Sequence, residues 1–319
     1  MNENQDLIER LKANIRRAYL GNEEAVELLL VTLVAGGHAL LEDVPGVGKT
    51  TLARALAQSL DLPFARLQCT PDLLPSDVIG VNIFNQKTGE FEYRPGPVLT
   101  SVLLVDEINR ATPRTQSALL EAMQEGQVTV AGETRSLPKP FLVLATQNPI
   151  EMQGTYPLPE AQLDRFLLRL SLGYPDRPHE REMVQQYGAA DPLGEVQPVA
   201  ASGDILALQR RSESAFVSNA ILDYILDVTA ATRRSPAITV GASPRATLAL
   251  YRAARALAVL DGRDYVLPDD VKRVAVPVLA HRLVLAPQGR VRGVRAEDVV
   301  AGLLAEIPVP AEPLAVRGD

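Results

Sequence analysis

The chain has 319 residues, 46% of them hydrophobic and 22% charged, with a formal net charge of −7 and one cysteine. Those proportions exclude wholesale disorder and leave room for about two globular domains. The acidic balance disfavours non-specific attraction to nucleic acid or anionic lipid. The longest apolar stretch, Leu28 to Leu41, is interrupted by Thr32, Gly36, Gly37 and His38 and is too short and polar for stable membrane insertion. Cys69 has no partner for an intrachain disulfide, and His38, His179 and His281 lie too far apart for zinc spacing. With no basic-then-apolar pattern at Met1 to Asp6, the expected location is cytoplasmic.

In chain order, short apolar runs without polar alternation predict buried parallel strands at Ala39 to Glu42, Pro63 to Cys69, Ser101 to Val105, Phe141 to Thr146 and Leu167 to Leu172. Helical patterns separate them, so the class is α/β with a covered sheet. Two hairpins interrupt it. Val81 to Phe84 pairs with Phe91 to Arg94 across Lys87-Thr88-Gly89, and Val128 to Val130 with Thr134 to Ser136 across Ala131-Gly132-Glu133. The turn-rich Gly173 to Pro178 marks a boundary between a domain of residues 1–173 and a helical one of 174–319. In the second domain Ser218 caps a helix with Ile221, Ile225 and Val228 on one face, and Ser243-Pro244 opens another bearing Leu248, Tyr251 and Leu257. Two shorter helices are expected near Asp269 to His281, kinked or ended by Pro277, and near Ala296 to Ile307.

The sharpest signal is Glu42-Asp43-Val44-Pro45-Gly46-Val47-Gly48-Lys49-Thr50-Thr51, set between a strand and a helix with Leu52, Leu56 and Leu60 on one face. This is a P-loop in its required context. Pro45 to Thr51 form the phosphate cradle: Gly46 and Gly48 let backbone N–H groups curl round a phosphate, and Lys49 adds a mobile charge. Thr50 offers its hydroxyl to Mg²⁺. Where the strict pattern has its first glycine this chain has Asp43, a residue that tolerates positive φ better than most.

Hydrolysis also requires a metal-holding carboxylate and a water activator. Val102 to Val105 ends in Asp106-Glu107, at the strand end where ligands gather in such sheets. Asp106 is the expected metal ligand and Glu107 the general base. Asn148 follows the strand expected beside the P-loop strand; it orients water or touches the γ-phosphate, or else begins the turn at Pro149. Arg165 closes a short helix opened by Pro159, a position the helix dipole alone would favour. Arg245 lies in the first turn of its helix, where the dipole opposes a cation and a phosphate would justify one.

Leu40 to Thr50 (LLEDVPGVGKT), Leu103 to Val130 (LLVDEINRATPRTQSALLEAMQEGQVTV) and Ala145 to Phe166 (ATQNPIEMQGTYPLPEAQLDRF) together resemble the AAA+ ATPases of the MoxR family, across about residues 5 to 305. The resemblance implies Lys49 and Thr50 as Walker A, Asp106 and Glu107 as Walker B, Asn148 as sensor 1, Arg165 as arginine finger and Arg245 as sensor 2. It further implies a five-stranded core, an all-helical lid from about residue 174, and the hairpins as the helix-two and pre-sensor-1 inserts. ATP and Mg²⁺ are the implied cofactors. A homo-oligomeric, hexameric ring acting on a client protein, with a von Willebrand factor A domain companion, is the implied assembly. A nucleic-acid motor and a metal-chelatase subunit share this layout, as would a scaffold that binds nucleotide and barely turns it over. Against the motor, the hairpin tip Ala131-Gly132-Glu133-Thr134 offers no cation to a strand of nucleic acid.

Overall fold

The apolar runs form five parallel strands in the computed structural model, which describes residues 3–148, 154–187 and 191–310. They are β1 (Ala39–Glu42), β2 (Phe64–Gln68), β5 (Val102–Asp106), β8 (Leu142–Gln147) and β9 (Leu168–Leu170), in the order β2-β5-β8-β1-β9. Alternate residues of the central strands enter two separate cores, as the two-residue strand period requires. Ala39, Leu41, Val102, Leu104, Leu142 and Leu144 face one, and Leu40, Leu103, Val105, Val143 and Ala145 the other. Helices cover both faces: α1 (Glu3–Arg16) and α2 (Glu23–Val34) ahead of the sheet, then α3 (Lys49–Ser59), α4 (Pro75–Ile79), α5 (Pro113–Glu125) and the single turn α6 (Glu160–Leu163) between its strands.

The hairpins are β3 (Gly80–Asn85) with β4 (Glu90–Pro95), and β6 (Gln127–Val130) with β7 (Glu133–Ser136). In the second, Glu133 already pairs with Val130, so the turn is Ala131-Gly132, both at positive φ, and not three residues. Arg135 stacks its guanidinium 4.0 Å above the Tyr93 ring, joining the hairpins at their bases. Phe84 and Phe91 make an exposed edge-to-face pair further out.

After β9 the chain turns helical: α7 (Arg177–Tyr187), α8 (Ser202–Ser214), α9 (Asn219–Arg234), α10 (Pro244–Leu260), α11 (Pro268–Leu279), α12 (Pro287–Val291) and α13 (Ala296–Glu306). Ser218 and Ser243 cap α9 and α10 by accepting the N–H of Ile221 and Ala246. Three sequence expectations are corrected. Leu248 faces outward, because the buried side of α10 is built mostly from small residues (Ala246, Ala249, Ala253, Ala256) around Leu250 and Leu257. Pro277 does not break α11 at its own position; the helix runs two residues further and tightens into a 3₁₀ turn at Ala280–Arg282. The lid also carries a small antiparallel pair, β10 (Ile238–Val240) with β11 (Val284–Leu285), too short to leave a periodic signal.

One hydrophobic cluster continues from the sheet through α1 and α2 into the lid, taking in Ile205, Ile225, Leu250, Leu257, Val274 and Val300. Arg169 of β9 reinforces the junction by pairing with Glu42 of β1 and Glu297 of α13. No helix among the described residues is long and apolar enough to cross a membrane.

His38, just before β1, fastens several elements at once. Its Nδ1 accepts the Val143 N–H (3.1 Å), its Nε2 faces the Met123 carbonyl (3.0 Å), and its own carbonyl takes the Leu167 N–H. The neutral tautomer protonated on Nε2 satisfies both ring nitrogens, whereas a second proton would confront the Val143 N–H. Burial pushes the imidazole down from 6.5 to about 4. The unfolded chain therefore takes up a proton that the folded chain refuses between these values, and His38 favours folding above pH ~6.5 and loses that contribution as pH falls toward 4. A His38→Gln variant compared with the parent by urea unfolding from pH 4.5 to 8 should lack a pH-dependent component of about 3 kcal/mol.

Candidate functional site

The loop from β1 to α3 follows from its glycines. Gly46 and Gly48 both sit at φ 88°, a conformation that a side chain would strain. Gly48 is also where α3 begins, without a side-chain cap, so the first N–H groups of an 11-residue helix remain for an anion. The Tyr19 ring packs against Gly48, its nearest carbon 3.3 Å from where a Cβ there would sit. Lys49 donates from Nζ to the Asp43 carbonyl at 2.9 Å. Burial lowers its pKa, against the opposing pull of Asp43, Asp106 and Glu107.

Asp43 is not a stand-in for glycine at positive φ; the described non-glycine residues there are Asp61, Glu107 and Ala131. Its carboxylate is buried and accepts the N–H groups of Leu172 and Gly173 (3.3 Å) and the Ser171 hydroxyl (3.1 Å). The base of the phosphate loop is thus tied to the segment where the sheet gives way to the lid.

A cavity of about 380 Å³ is lined by Pro45, Gly46, Gly48, Lys49, Thr50, Thr51, Asp106, Glu107 and Asn148, all expected from the sequence. Val47 is the exception, since its side chain turns into the core. Arg66, Gln68 and Thr146 also line the cavity and were missed. Arg66 and Gln68 are polar residues two apart on an otherwise apolar strand, a period-2 signal that points both toward one face.

These additions organise the carboxylates. Asp106 accepts from Arg66 Nε at 2.5 Å and from the Thr146 hydroxyl at 3.4 Å. Glu107 has left-handed backbone angles (φ 56°, ψ 53°), a strained conformation for a residue with a side chain. Its N–H donates to Thr146 Oγ1 at 2.8 Å, and its carboxylate accepts from Gln68 Nε2 (3.0 Å) and Arg110 (3.1 Å). Asn148, at the end of β8, is buried beside them; Pro149 to Gln153 lie outside the described residues. The hydroxyl of Thr50 and the carboxylate of Asp106 on one polar cavity are hard oxygen donors of the kind Mg²⁺ takes alongside phosphate oxygens.

Arg165 and Arg245 are elsewhere. They line a second cavity of about 270 Å³ with His38, Asp164, Arg252 and Arg282. The helix preceding Arg165 is only four residues long and ends at Leu163, so a helix dipole does not account for this arginine. Arg252 was also missed, although it lies seven residues, or two turns, beyond Arg245 on α10.

A parallel sheet with a phosphate loop at its carboxyl edge, a carboxylate pair on the adjoining strand end and a helical lid define a P-loop ATPase of the AAA+ class. A family profile described as the ATPase family associated with various cellular activities (AAA) matches residues 38–168, and one for an AAA lid domain matches residues 230–303. Chaperone MoxR1 of Mycobacterium tuberculosis is 44% identical, over 95% of this chain and 82% of that protein. Protein MoxR of Methylorubrum extorquens is 33% identical over 96% of both, and an uncharacterized Bacillus subtilis protein, YeaC, 49% over 98% and 97%. A crystal structure of a candidate ATPase from Cytophaga hutchinsonii superposes with a TM-score of 0.90 at 39% identity, covering 96% of each chain. The chain belongs to the MoxR family of AAA+ ATPases.

The Asp43 contacts set an outcome that the strict P-loop pattern would not. Asp43→Gly restores the consensus glycine but strips one buried and one part-buried N–H group and a hydroxyl of their acceptor. It should lower the unfolding free energy by roughly 2–4 kcal/mol in chemical denaturation, with Asp43→Asn recovering part of the loss.

Proposed function

We propose that this chain is a Mg²⁺-dependent ATPase that acts as a homo-oligomeric, hexameric ring and uses hydrolysis to remodel or activate a client protein. The observation that carries the reading is the division of the cationic machinery. The P-loop cavity holds Lys49 and the two carboxylates, whereas Arg165 and Arg245 stand together on a different cavity, without an ion pair or side-chain hydrogen bond among the described residues. A complete site then takes its arginines from a second copy, as an arginine finger supplied in trans does.

Within one copy, Lys49 and the loop N–H groups grip the phosphates of ATP. Glu107 accepts a proton from the attacking water, which is the phosphoryl acceptor, and Asn148 orients that water. Thr50 and Asp106 are the residues to hold Mg²⁺, which when bound supplies charge neutralisation on the phosphate oxygens. The left-handed backbone at Glu107, with Gln68 and Arg110 on its carboxylate, keeps the base at the cavity wall.

A protein client is favoured by the chaperone name of the 44% identical relative and by the chemistry of the second hairpin. Its tip carries no cation, and the charge of Arg135 is already engaged by Glu133 and the Tyr93 ring.

Two measurements test this reading. Lys49→Ala should lose nucleotide affinity in equilibrium binding. Glu107→Gln should retain it while turnover drops roughly 10²–10⁴-fold, the loss of a general base; near-normal turnover would remove Glu107 from that role. For the client class, phosphate release should be indifferent to single-stranded DNA and RNA. Several-fold stimulation at physiological salt that vanishes at high salt, the mark of counterion release, would instead favour a nucleic-acid motor.

A further inference from the structure

Asp164 precedes Arg165 directly, yet its carboxylate serves neither Arg165 nor Arg245. One oxygen accepts from Arg282 Nε at 2.8 Å and the other from the Ser243 hydroxyl at 2.9 Å. Arg282 is held on every side. Its Nη1 donates to the carbonyls of Leu167 (2.9 Å) and Val278, and its Nη2 to those of Phe166 and Asp164 (3.4 Å). With Nε, all five guanidinium N–H groups are engaged, leaving none for a ligand. Its side chain is 3% exposed, and burial lowers its pKa, with Asp164 opposing and the like charge of Arg245 adding to the effect. A buried cation in this state is tolerable only with its carboxylate.

The second arm of the network reaches the other arginine. Ser243 donates to Asp164 while the same oxygen accepts the Ala246 N–H at 3.2 Å, which fixes the first turn of α10. Arg245 lies in that turn. Arg165 therefore follows one end of a hydrogen-bonded chain and Arg245 the other, although 80 residues separate them in sequence. Arg282 also occupies the carboxylate that would otherwise neutralise one of them. Arg165, Arg245 and Arg252 are left with no ion pair or side-chain hydrogen bond among the described residues, on a cavity whose one carboxylate is taken.

We infer that Asp164, clamped by Arg282 and Ser243, is a positioning residue that presents Arg165 and Arg245 as a preformed pair to the triphosphate held by a second copy of this chain. The inference rests on the shared-site reading above. Its physical content is preorganisation: cations fixed before the reaction need no rearrangement as charge develops, and an ångström of misplacement is enough to cost roughly 10²-fold in rate.

The test compares ground-state and transition-state binding in the full-length assembly. Asp164→Asn should bind ATP with a dissociation constant within about twofold of the parent, hydrolyse it roughly 10²-fold more slowly and lose affinity for ADP with aluminium fluoride by a similar factor. In an Arg165→Ala, Arg245→Ala background the same substitution should cause no further loss of analogue affinity, because a residue acting through the two arginines has nothing left to position. Full turnover by Asp164→Asn overturns the clamp, as does an equal loss in both backgrounds, the signature of general structural damage. Should Asp164→Asn fail to fold, Ser243→Ala takes its place, with Ser243→Thr expected to restore turnover and analogue affinity. The underlying reading fails separately: if Arg165→Ala and Arg245→Ala, each with Asp164 intact, hydrolyse ATP normally, the shared site is wrong and the clamp falls with it.

Discussion

Three buried parallel strands, β5, β8 and β1, end side by side, and the chemistry of the nucleotide cavity depends on that alignment. Their register places Val105 beside Ala145 and Leu41 beside Thr146, so Asp106, Glu107, Thr146, Asn148 and the phosphate loop emerge along one edge. The strands are apolar on both sides and cannot accommodate charge within the sheet. Polar groups therefore collect where the strands stop. A single hydroxyl, that of Thr146, bridges the backbone of Glu107 and the carboxylate of Asp106.

Charge at the edge of an apolar sheet is costly unless it is partnered, and each carboxylate here is answered by a different kind of donor. Asp106 has the guanidinium of Arg66, Glu107 an amide and an arginine, and Asp43 two backbone N–H groups and a hydroxyl. The choice has chemical consequences. Arg66 is a half-exposed side chain, whereas two of the three donors to Asp43 are backbone N–H groups fixed by the fold. Asp43 is accordingly tied to the fold and Asp106 to a side chain at the cavity surface, although both lie at strand ends within reach of Lys49.

The junction of core and lid obeys the same logic with less water. Apolar side chains from α1, α2, α8, α10 and α11 form one cluster, and the polar groups crossing it are paired: Arg169 with Glu42 and Glu297, Arg282 with Asp164. The small residues along α10 let it approach α2, α8 and α11 closely, while Arg245, Leu248 and Arg252 remain on its outer side.

Much of this was legible in the sequence because it depends on neighbours in the chain. The P-loop glycines are dictated by a local turn, the strands by uninterrupted apolar runs, the caps at Ser218 and Ser243 by hydroxyls three residues before the N–H they accept. Chain-local signals could not show what Asp43 does, since its partners lie about 130 residues away and a hydrogen bond of that span leaves no periodicity. The same distance hid the engagement of Arg282 by Asp164, 118 residues apart. The lid sheet escaped because two or three residues cannot display a period. Only the tertiary structure decided that Arg165 and Arg245 share a cavity apart from the P-loop. A motif names a residue's chemistry from its own neighbourhood, whereas which charged groups meet is set by the packing of elements distant in the chain.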